Sequence, residues 1–412
     1  MAGNEGNHAV LAGRYIPCLS WFVCCLVMIR RKISLESHSP DWPFLVVILT
    51  LLSFGVLMVY DSSVVTAANV FGGKYYFLLL QLFWSLVGLI AFVFFSLFDY
   101  RQLSHLAKPL LIVSLVFLVL VVLPTPFTKA IYGAKRWFYI NPDPLPLLPF
   151  FGRLGFQPTE PAKFSLVVFL SALFSTRPKN YLLIFGVVML TFLFLVGIQP
   201  DFGTTLVLVG IGLISFFIAG ESMSYFLVSF PLLLLGSFVY ILISPYRRER
   251  LLTFLFPDSN KSLTSGYQIN QILIALGSGG LFGVGLGQSR QKYGFIPEVQ
   301  TDSIFAIVGE ELGLAGTALL IGLFLMLVWR GFKIAASCQD KFGRNLVVGF
   351  MSWFALQVLI NLSSMTHLIP LTGIPLPLIS YGGSAAIFML AGLGVVFNVS
   401  RYSKRSNSYG GR

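Results

Sequence analysis

The sequence predicts an all-α, polytopic membrane protein with about ten transmembrane helices, and three observations predict it. Of its 412 residues 56% are hydrophobic and only 11% charged, with a mean hydropathy of +0.83. A soluble domain carries about 25% charged residues, so this chain has too few charges to cover a soluble surface of its size. Ten apolar runs approach the length of about 20 residues that a helix needs to cross a bilayer. Most of the basic residues lie in loops between those runs, so the net charge of +12 is first a statement about topology and not about nucleic acid. Two further features complete the expected architecture. One is a long extracytoplasmic loop between helices 7 and 8, and the other is a re-entrant-type loop before helix 10.

In chain order, residues 1–40 form a cytoplasmic N-terminal segment, 41–402 the transmembrane domain and 403–412 a cytoplasmic tail. The apolar stretch from Tyr15 to Ile29 is too short for a span. It fits an interfacial helix, a signal-like segment or a start placed too early; the last is the favoured reading, because Met28 followed by "IRRK" makes an ordinary cytoplasmic beginning. The expected spans are 44–60, 76–97, 107–123, 161–175, 181–198, 203–219, 225–243, 304–329, 346–366 and 384–400. With the N-terminus inside, Arg30, Arg31, Lys32, Arg101, Lys108, Arg177 and Lys179 fall on the cytoplasmic side, as do Arg330, Lys333, Lys341, Arg344 and the basic tail. That is the positive-inside distribution, and an even number of spans returns the C-terminus to the cytoplasm.

Two long outer loops break this bias. Residues 124–160 hold Lys129, Lys135, Arg136 and Arg153, and residues 244–303 hold Arg247, Arg248, Arg250, Lys261, Arg290 and Lys292. Long loops cross regardless of charge. The alternative is that these cations serve an anionic ligand, since arginine and lysine are what a phosphate or pyrophosphate needs. Cys18, Cys24, Cys25 and Cys338 lie outside both loops and show no disulfide framework or zinc spacing, and the four histidines form no metal cluster.

The stretch "PEVQTDSIFAIVGEELG" places Asp302 at the foot of the eighth span and Glu310 and Glu311 inside it. Counted back along a straight helix from Trp329 and Arg330, the glutamates fall near the outer hydrocarbon boundary, with Asp302 about 12 Å further out. Asp302 can then face a wet cleft, where a functional role is the favoured reading. Glu310 and Glu311 must face protein, because carboxylates rarely face lipid; capping a neighbouring loop is their favoured role. Gly309 and Gly313 form a G-x-x-x-G step that permits close helix approach.

At the start of the fourth span, Glu160 and Lys163 stand at i, i+3, as an ion pair or a substrate contact. Asp201, in the short turn "IQPDFGTT", either caps the next helix or joins the same outer face as Asp302. The glycines of "ALGSGGLFGVGLGQSRQKYGFIPE" beside Gln288, Ser289, Arg290 and Lys292 make a backbone nest for an anion, though they match no nucleotide-binding pattern. Finally, "IPLTGIPLPLISYGGSA" carries Pro370, Pro375 and Pro377 in an apolar loop that cannot be a regular helix. Such backbone at membrane depth must be buried in protein or line a cavity; a pocket wall including Ser380, Gly382 and Gly383 is expected.

These segments stand in the order found in a known family. "GAKRW", "FQPTEPAK", "QPDFGTT", "PYRRERL", "GYQINQ", "GSGGLFGVGLGQSRQK", "PEVQTDSIFAIVGEELG" and "LTGIPLPLISYGGS" together resemble the shape, elongation, division and sporulation (SEDS) proteins over roughly residues 40–402. "GLGQSRQK" and "GEELG" look more like the FtsW branch than the RodA branch. The resemblance implies ten transmembrane helices and peptidoglycan glycosyltransferase activity on lipid II, a disaccharide-pentapeptide on undecaprenyl pyrophosphate. It implies a class B penicillin-binding protein as transpeptidase partner, alongside other division or elongation proteins. The family's essential aspartate falls on Asp302, its Glu–Lys pair on Glu160 and Lys163, and its outer-loop arginines on Arg247 and Arg250. Three segments depart from the family pattern: the proline-rich insert "INPDPLPLLPFFGRL", "TDSIF" and "NLSSMTHL".

Glycosyl transfer from a pyrophosphate donor needs a base for the acceptor hydroxyl and cations for the leaving group. Asp302 is the expected base, and Arg247, Arg250 and Lys292 the expected clamp, with Lys163 a further candidate. Arg136, Gln157, Asp201 and Gln288 are expected substrate contacts. No cofactor is called for, although a divalent cation could assist the pyrophosphate. A lipid II flippase would place ionisable residues at the bilayer midplane, whereas here they cluster at one end of the spans. A non-catalytic scaffold of the division machinery would leave the outer cations unexplained.

Overall fold

The computed structural model describes residues 39–128, 135–142, 145–146, 154–221, 245–255 and 264–402. In these residues the chain is mainly helical, with little strand. The helices are α1 (Trp42–Phe71), α2 (Tyr76–Leu97), α3 (Gln102–Val122), α4 (Thr159–Thr176), α5 (Tyr181–Ile198) and α6 (Phe202–Ile218). After them come α7 (Pro245–Leu255), α8 (Thr264–Ser278), α9 (Ile304–Ser337), α10 (Lys341–Met365) and α11 (Gly383–Ser400). Seven of them, α1, α2, α3, α5, α9, α10 and α11, are long and apolar enough to cross a membrane, and α6 is a shorter apolar helix. The predicted span 225–243 lies outside the described residues.

Aspartates start several of these helices by supplying acceptors to unpaired first-turn N–H groups. The Asp41 carboxylate accepts from Phe44 N at 3.1 Å, and Asp340 accepts from the amides of Phe342 and Gly343. Helix α1 ends where Gly72 turns left-handed at φ 69°.

Burial sorts the helices into a centre and a periphery. Helix α4 buries Ala162, Phe164, Leu166, Val167, Val168 and Leu170 around its axis, packing on α3 and α10. Helix α10 is similarly enclosed, between α4, α6, α9 and α11. By contrast, α5 turns Leu183, Val187, Leu190 and Phe194 outward, each more than half exposed. An apolar stripe of that kind on a helix outside the core is what lipid covers.

Several elements differ from the sequence-based expectation. Helix α1 runs eleven residues beyond the predicted end at 60, so it carries Asp61. The loop 244–303 contains α7 and α8, and α8 packs on α9. The segment before α4 holds a short antiparallel hairpin, β1 (Phe138–Tyr139) with β2 (Gly155–Phe156); most of the proline-rich insert between them lies outside the described residues. Helix α9 is not straight. Gly313 sits inside it at φ 65° and ψ −163°, which divides it in two.

Candidate functional site

The non-helical segment between α10 and α11 joins most of the candidate residues. Its prolines deny it a helical ladder, so its polar backbone groups need other partners. The Asn361 side chain, near the end of α10, donates to Ile374 O and to Asp302 O, each at 2.8 Å. Ser380 Oγ accepts from Leu376 N at 2.9 Å, Tyr381 N donates to Gln300 O at 2.9 Å, and Arg250 Nη1 donates to Leu371 O at 2.6 Å. Pro377 and Ser380 are buried, and Pro375, Gly382 and Gly383 are partly so. Helix α1 approaches so closely that a Cβ on Gly55 would lie 2.2 Å from Leu378 O; only glycine fits there. The segment is thus walled by protein on several sides and ends at the start of α11.

Asp302 stands two residues before α9, half-buried beside this segment. Among the described residues the side-chain contacts of its Oδ1 are long, from Thr301 Oγ1 at 3.3 Å and Ser303 Oγ at 3.5 Å, both at the weak end for hydroxyl donors. Burial pushes its carboxyl above the usual range, the nearby Arg250 cation pulls it back, and Glu298 adds to the rise. A carboxylate held this way, short of strong donors, keeps the capacity to take a proton. Arg247 lies on α7 with Arg250, but its side chain is outside the described residues.

Glu160 and Lys163 form an ion pair at 2.8 Å inside the bundle, each side chain less than 5% exposed. Lys163 Nζ also donates to Gln357 Oε1 at 3.3 Å, and lies 5.1 Å from the centre of the Trp353 ring. Trp353, Gln357 and Asn361 follow each other at intervals of four along α10, so one face of that helix connects the buried pair to the backbone of Asp302. Lys163 is therefore engaged within the protein.

Asp201 caps α6, accepting from Thr204 N at 3.0 Å and Thr204 Oγ1 at 2.8 Å; Gln157 Nε2 approaches it at 3.4 Å. Gln157 N donates to Ser384 Oγ at 3.2 Å, tying this turn to the start of α11. Arg136 donates through Nε to Gln199 O at 3.2 Å and through Nη2 to Pro200 O at 2.5 Å. Its guanidinium is thereby spent partly on the turn that Asp201 closes.

The glycine-rich loop corrects two expectations. Its nest is filled by the chain's own glutamates. Glu311 accepts from Gly287 N at 3.1 Å and Ser289 N at 3.0 Å, while Glu310 accepts from Ser289 Oγ, Arg290 N at 3.0 Å and Gln291 N at 3.4 Å. Lys292 is not an outward-facing cation. It is 3% exposed and bridges Asp61 at 2.9 Å and Glu311 at 3.1 Å, because an ammonium taken out of water must be paired. Gln288 is exposed on the loop surface. The Gly309–Gly313 step likewise serves this loop and not a neighbouring span: Cβ atoms on Gly279 and Gly313 would strike Gly309 O at 1.9 Å and Gly283 N at 2.3 Å.

Asp61, Trp353, Gln357 and Asn361 escaped the sequence reading. Trp353, Gln357 and Asn361 lie within one apolar run, where the one available signal was polarity within a span, and Asp61 lies just past the expected end of the first span at 60. Among the described residues, no cluster of three or more His, Cys, Asp or Glu could hold a metal ion.

The starts of α4, α6, α9 and α11 and the ends of α1 and α10 thus meet at one pole of the bundle. The fold and site define a multi-pass helical membrane protein with a polar, carboxylate-bearing site at one end. The model of the FtsW, RodA and SpoVE family, described as "Cell cycle protein", matches residues 42–405, and the chain belongs to that family. It is 40% identical to stage V sporulation protein E of Bacillus subtilis, over 90% of this chain and 99% of the relative. It is 36% identical to a protein of Trichlorobacter lovleyi named "Probable peptidoglycan glycosyltransferase FtsW", over 91% and 96%. Among solved structures, a chain of a peptidoglycan synthase complex described as coordinating polymerization and crosslinking matches with TM-score 0.70 and 28% identity, over 88% of this chain and 98% of that one. The rod shape determining protein RodA of Thermus thermophilus matches with TM-score 0.64 and 27% identity, over 89% and 99%.

Proposed function

We propose that this chain is a peptidoglycan glycosyltransferase that polymerises lipid II into glycan strands at the outer face of the cytoplasmic membrane, in septal wall synthesis. Membership of the FtsW, RodA and SpoVE family and the names of its relatives support the reading. The observation that carries the mechanism is Asp302, a half-buried carboxylate with weak hydroxyl partners next to Arg250. Asp302 accepts the proton of the acceptor GlcNAc 4-hydroxyl as that oxygen attacks C1 of the donor. The bond from C1 to the pyrophosphate breaks, undecaprenyl pyrophosphate leaves with the electron pair, and an α-linked donor gives a β-linkage. Arg250, with Arg247 on the same helix, steadies the leaving charge. The buried Glu160–Lys163 pair and its Gln357 contact support the site from below.

In this reading the chain crosses the membrane ten times within 41–402, with both termini in the cytoplasm and the 244–303 segment outside. Its partner is a class B penicillin-binding protein, which cross-links the strands; a peptidoglycan synthase complex among the similar structures favours this. No resident cofactor is assigned. Chelation with EDTA tests whether a divalent cation shares the pyrophosphate with Arg250, through a drop in rate that added Mg2+ restores.

Purified protein and labelled lipid II separate the alternatives. Polymer is the expected product. Translocation without polymer would indicate a flippase, and neither, with or without the transpeptidase, a scaffold.

A further inference from the structure

Helix α9 is broken at Gly313, yet its hydrogen bonds are not lost; they are traded with the glycine-rich loop in register. In an unbroken helix Leu314 N and Ala315 N would donate to Glu310 O and Glu311 O, four residues back. Here Leu314 N donates to Gly280 O at 2.9 Å and Ala315 N to Leu281 O at 3.0 Å. The two vacated acceptors are taken by the loop: Val284 N donates to Glu310 O at 3.0 Å and Gly285 N to Glu311 O at 3.1 Å. A piece of loop, 280–285, is spliced into the ladder of a membrane-spanning helix. The glutamates that supply those carbonyls then hold the next part of the loop with their carboxylates, and Lys292 ties the assembly to Asp61 on α1.

The splice bears on the reaction through Asp302. The half-helix Ile304–Leu312 begins two residues after Asp302 and ends at the splice, so its position follows the loop. We infer that Lys292 is a positioning residue: by pinning the spliced loop to α1 and Glu311, it sets where the half-helix holds Asp302. This rests on the glycosyltransferase reading above, and it moves Lys292 out of the pyrophosphate clamp.

The experiment uses the full-length protein in detergent with labelled lipid II, comparing wild type with Lys292→Met, Lys292→Arg, and Asp61→Lys combined with Lys292→Asp. Wild-type polymer tests the glycosyltransferase reading by itself, so its failure is seen separately. Lys292→Met is expected to lower kcat about 10- to 100-fold, the cost of misplacing a reacting group by about 1 Å, with KM for lipid II within about twofold, as expected when ground-state binding is kept. Lys292→Arg and the charge exchange should each recover part of kcat. Hydrogen–deuterium exchange gives the readout that does not depend on activity. Amides of 280–285 and 304–312 should exchange faster in Lys292→Met than in wild type, while those of α10 stay unchanged. Should Lys292→Met fail to fold, Asp61→Asn, which keeps the lysine and its Glu311 contact, takes its place with the same expectations. A raised KM with unchanged kcat and unchanged exchange would return Lys292 to the clamp. Unchanged kcat with faster exchange would show the splice to be without influence on Asp302. Either result overturns the inference.

Discussion

Asp302 shows how one residue's surroundings decide its work. Burial disfavours its charge and Arg250 favours it, and burial wins, so the carboxyl titrates above its ordinary range. The base form is lost as pH falls through that raised value. The acid limb of the pH–rate profile should therefore lie above the value of about 4 typical of a free aspartate. Arg250→Ala removes the opposing cation, so the limb should move to still higher pH, whereas Arg250→Lys should move it less; an unmoved limb in Arg250→Ala would uncouple the two residues. Stability has a definite sign as well. A carboxyl whose folded pKa is raised costs stability once pH exceeds its unfolded value, and the full cost is present above the folded one. Asp302→Asn should thus abolish polymer while leaving the thermal midpoint at pH 7 unchanged or higher. Near wild-type polymerisation by that variant would remove Asp302 from the chemistry. The Glu160–Lys163 pair should respond in the opposite way. Lys163→Met leaves a carboxylate buried without its ammonium, a loss of about 3–5 kcal/mol, and should appear as a lower yield of folded protein. Glu160→Gln with Lys163→Met should recover much of that yield, since the pair is then neutral.

At the scale of elements, α9 and α10 carry the site between them. Helix α10 presents Trp353, Gln357 and Asn361 on one face, and Asn361 holds two carbonyls from two other segments. Asn361→Ala deletes both bonds at a net cost of about 0.5–1.5 kcal/mol each. It should lower the thermal midpoint and reduce kcat, and a variant with normal stability and normal kcat would contradict the linkage. In α9, Glu311 anchors two loop amides and Lys292. Glu311→Gln should lower the amount of folded protein more than the activity per folded molecule, because its role is to hold the loop. Gly313→Ala is a sterner change: its backbone at φ 65° is strained for any side chain, and a Cβ would meet the Gly283 backbone. The splice accounts for the glycine density of the loop better than an external anion does, since its own glutamates occupy the nest.

Across the whole molecule, one pole gathers Asp302, Arg250, Asp201, Arg136 and the non-helical segment, while the other carries Asp41, Arg330, Asp340 and Lys341. Orientation decides which pole meets substrate. In a chain whose native cysteines are serine, a cysteine at Tyr293, a 64% exposed loop position, should react with an impermeant maleimide in intact cells. A cysteine at Ser337, at the far end of α9, should react only after permeabilisation. The reverse pattern would invert the topology and place the site in the cytoplasm, where polymerisation of an externally exposed lipid II could not occur.

What the sequence determined by itself was local or compositional. Apolar runs marked most helices because each satisfies its own backbone within one segment, whereas Asp201 before "FGTT" fitted a helix cap and an outer-face site equally until the structure showed Thr204 bonded to it. The prolines of 370–377 ruled out a helix for the same local reason. Asp302 stood out because a lone carboxylate at the foot of an apolar run has few structural uses. The tertiary structure alone decided what depends on contacts between distant parts of the chain. Lys292 read as a free cation until α1 was found to run on to Asp61, 231 residues away. Gly313 read as a helix-packing glycine until the loop was found to complete the ladder that it breaks. No local pattern announces that exchange, because the partners of each bond lie about thirty residues apart in sequence and only packing brings them into register.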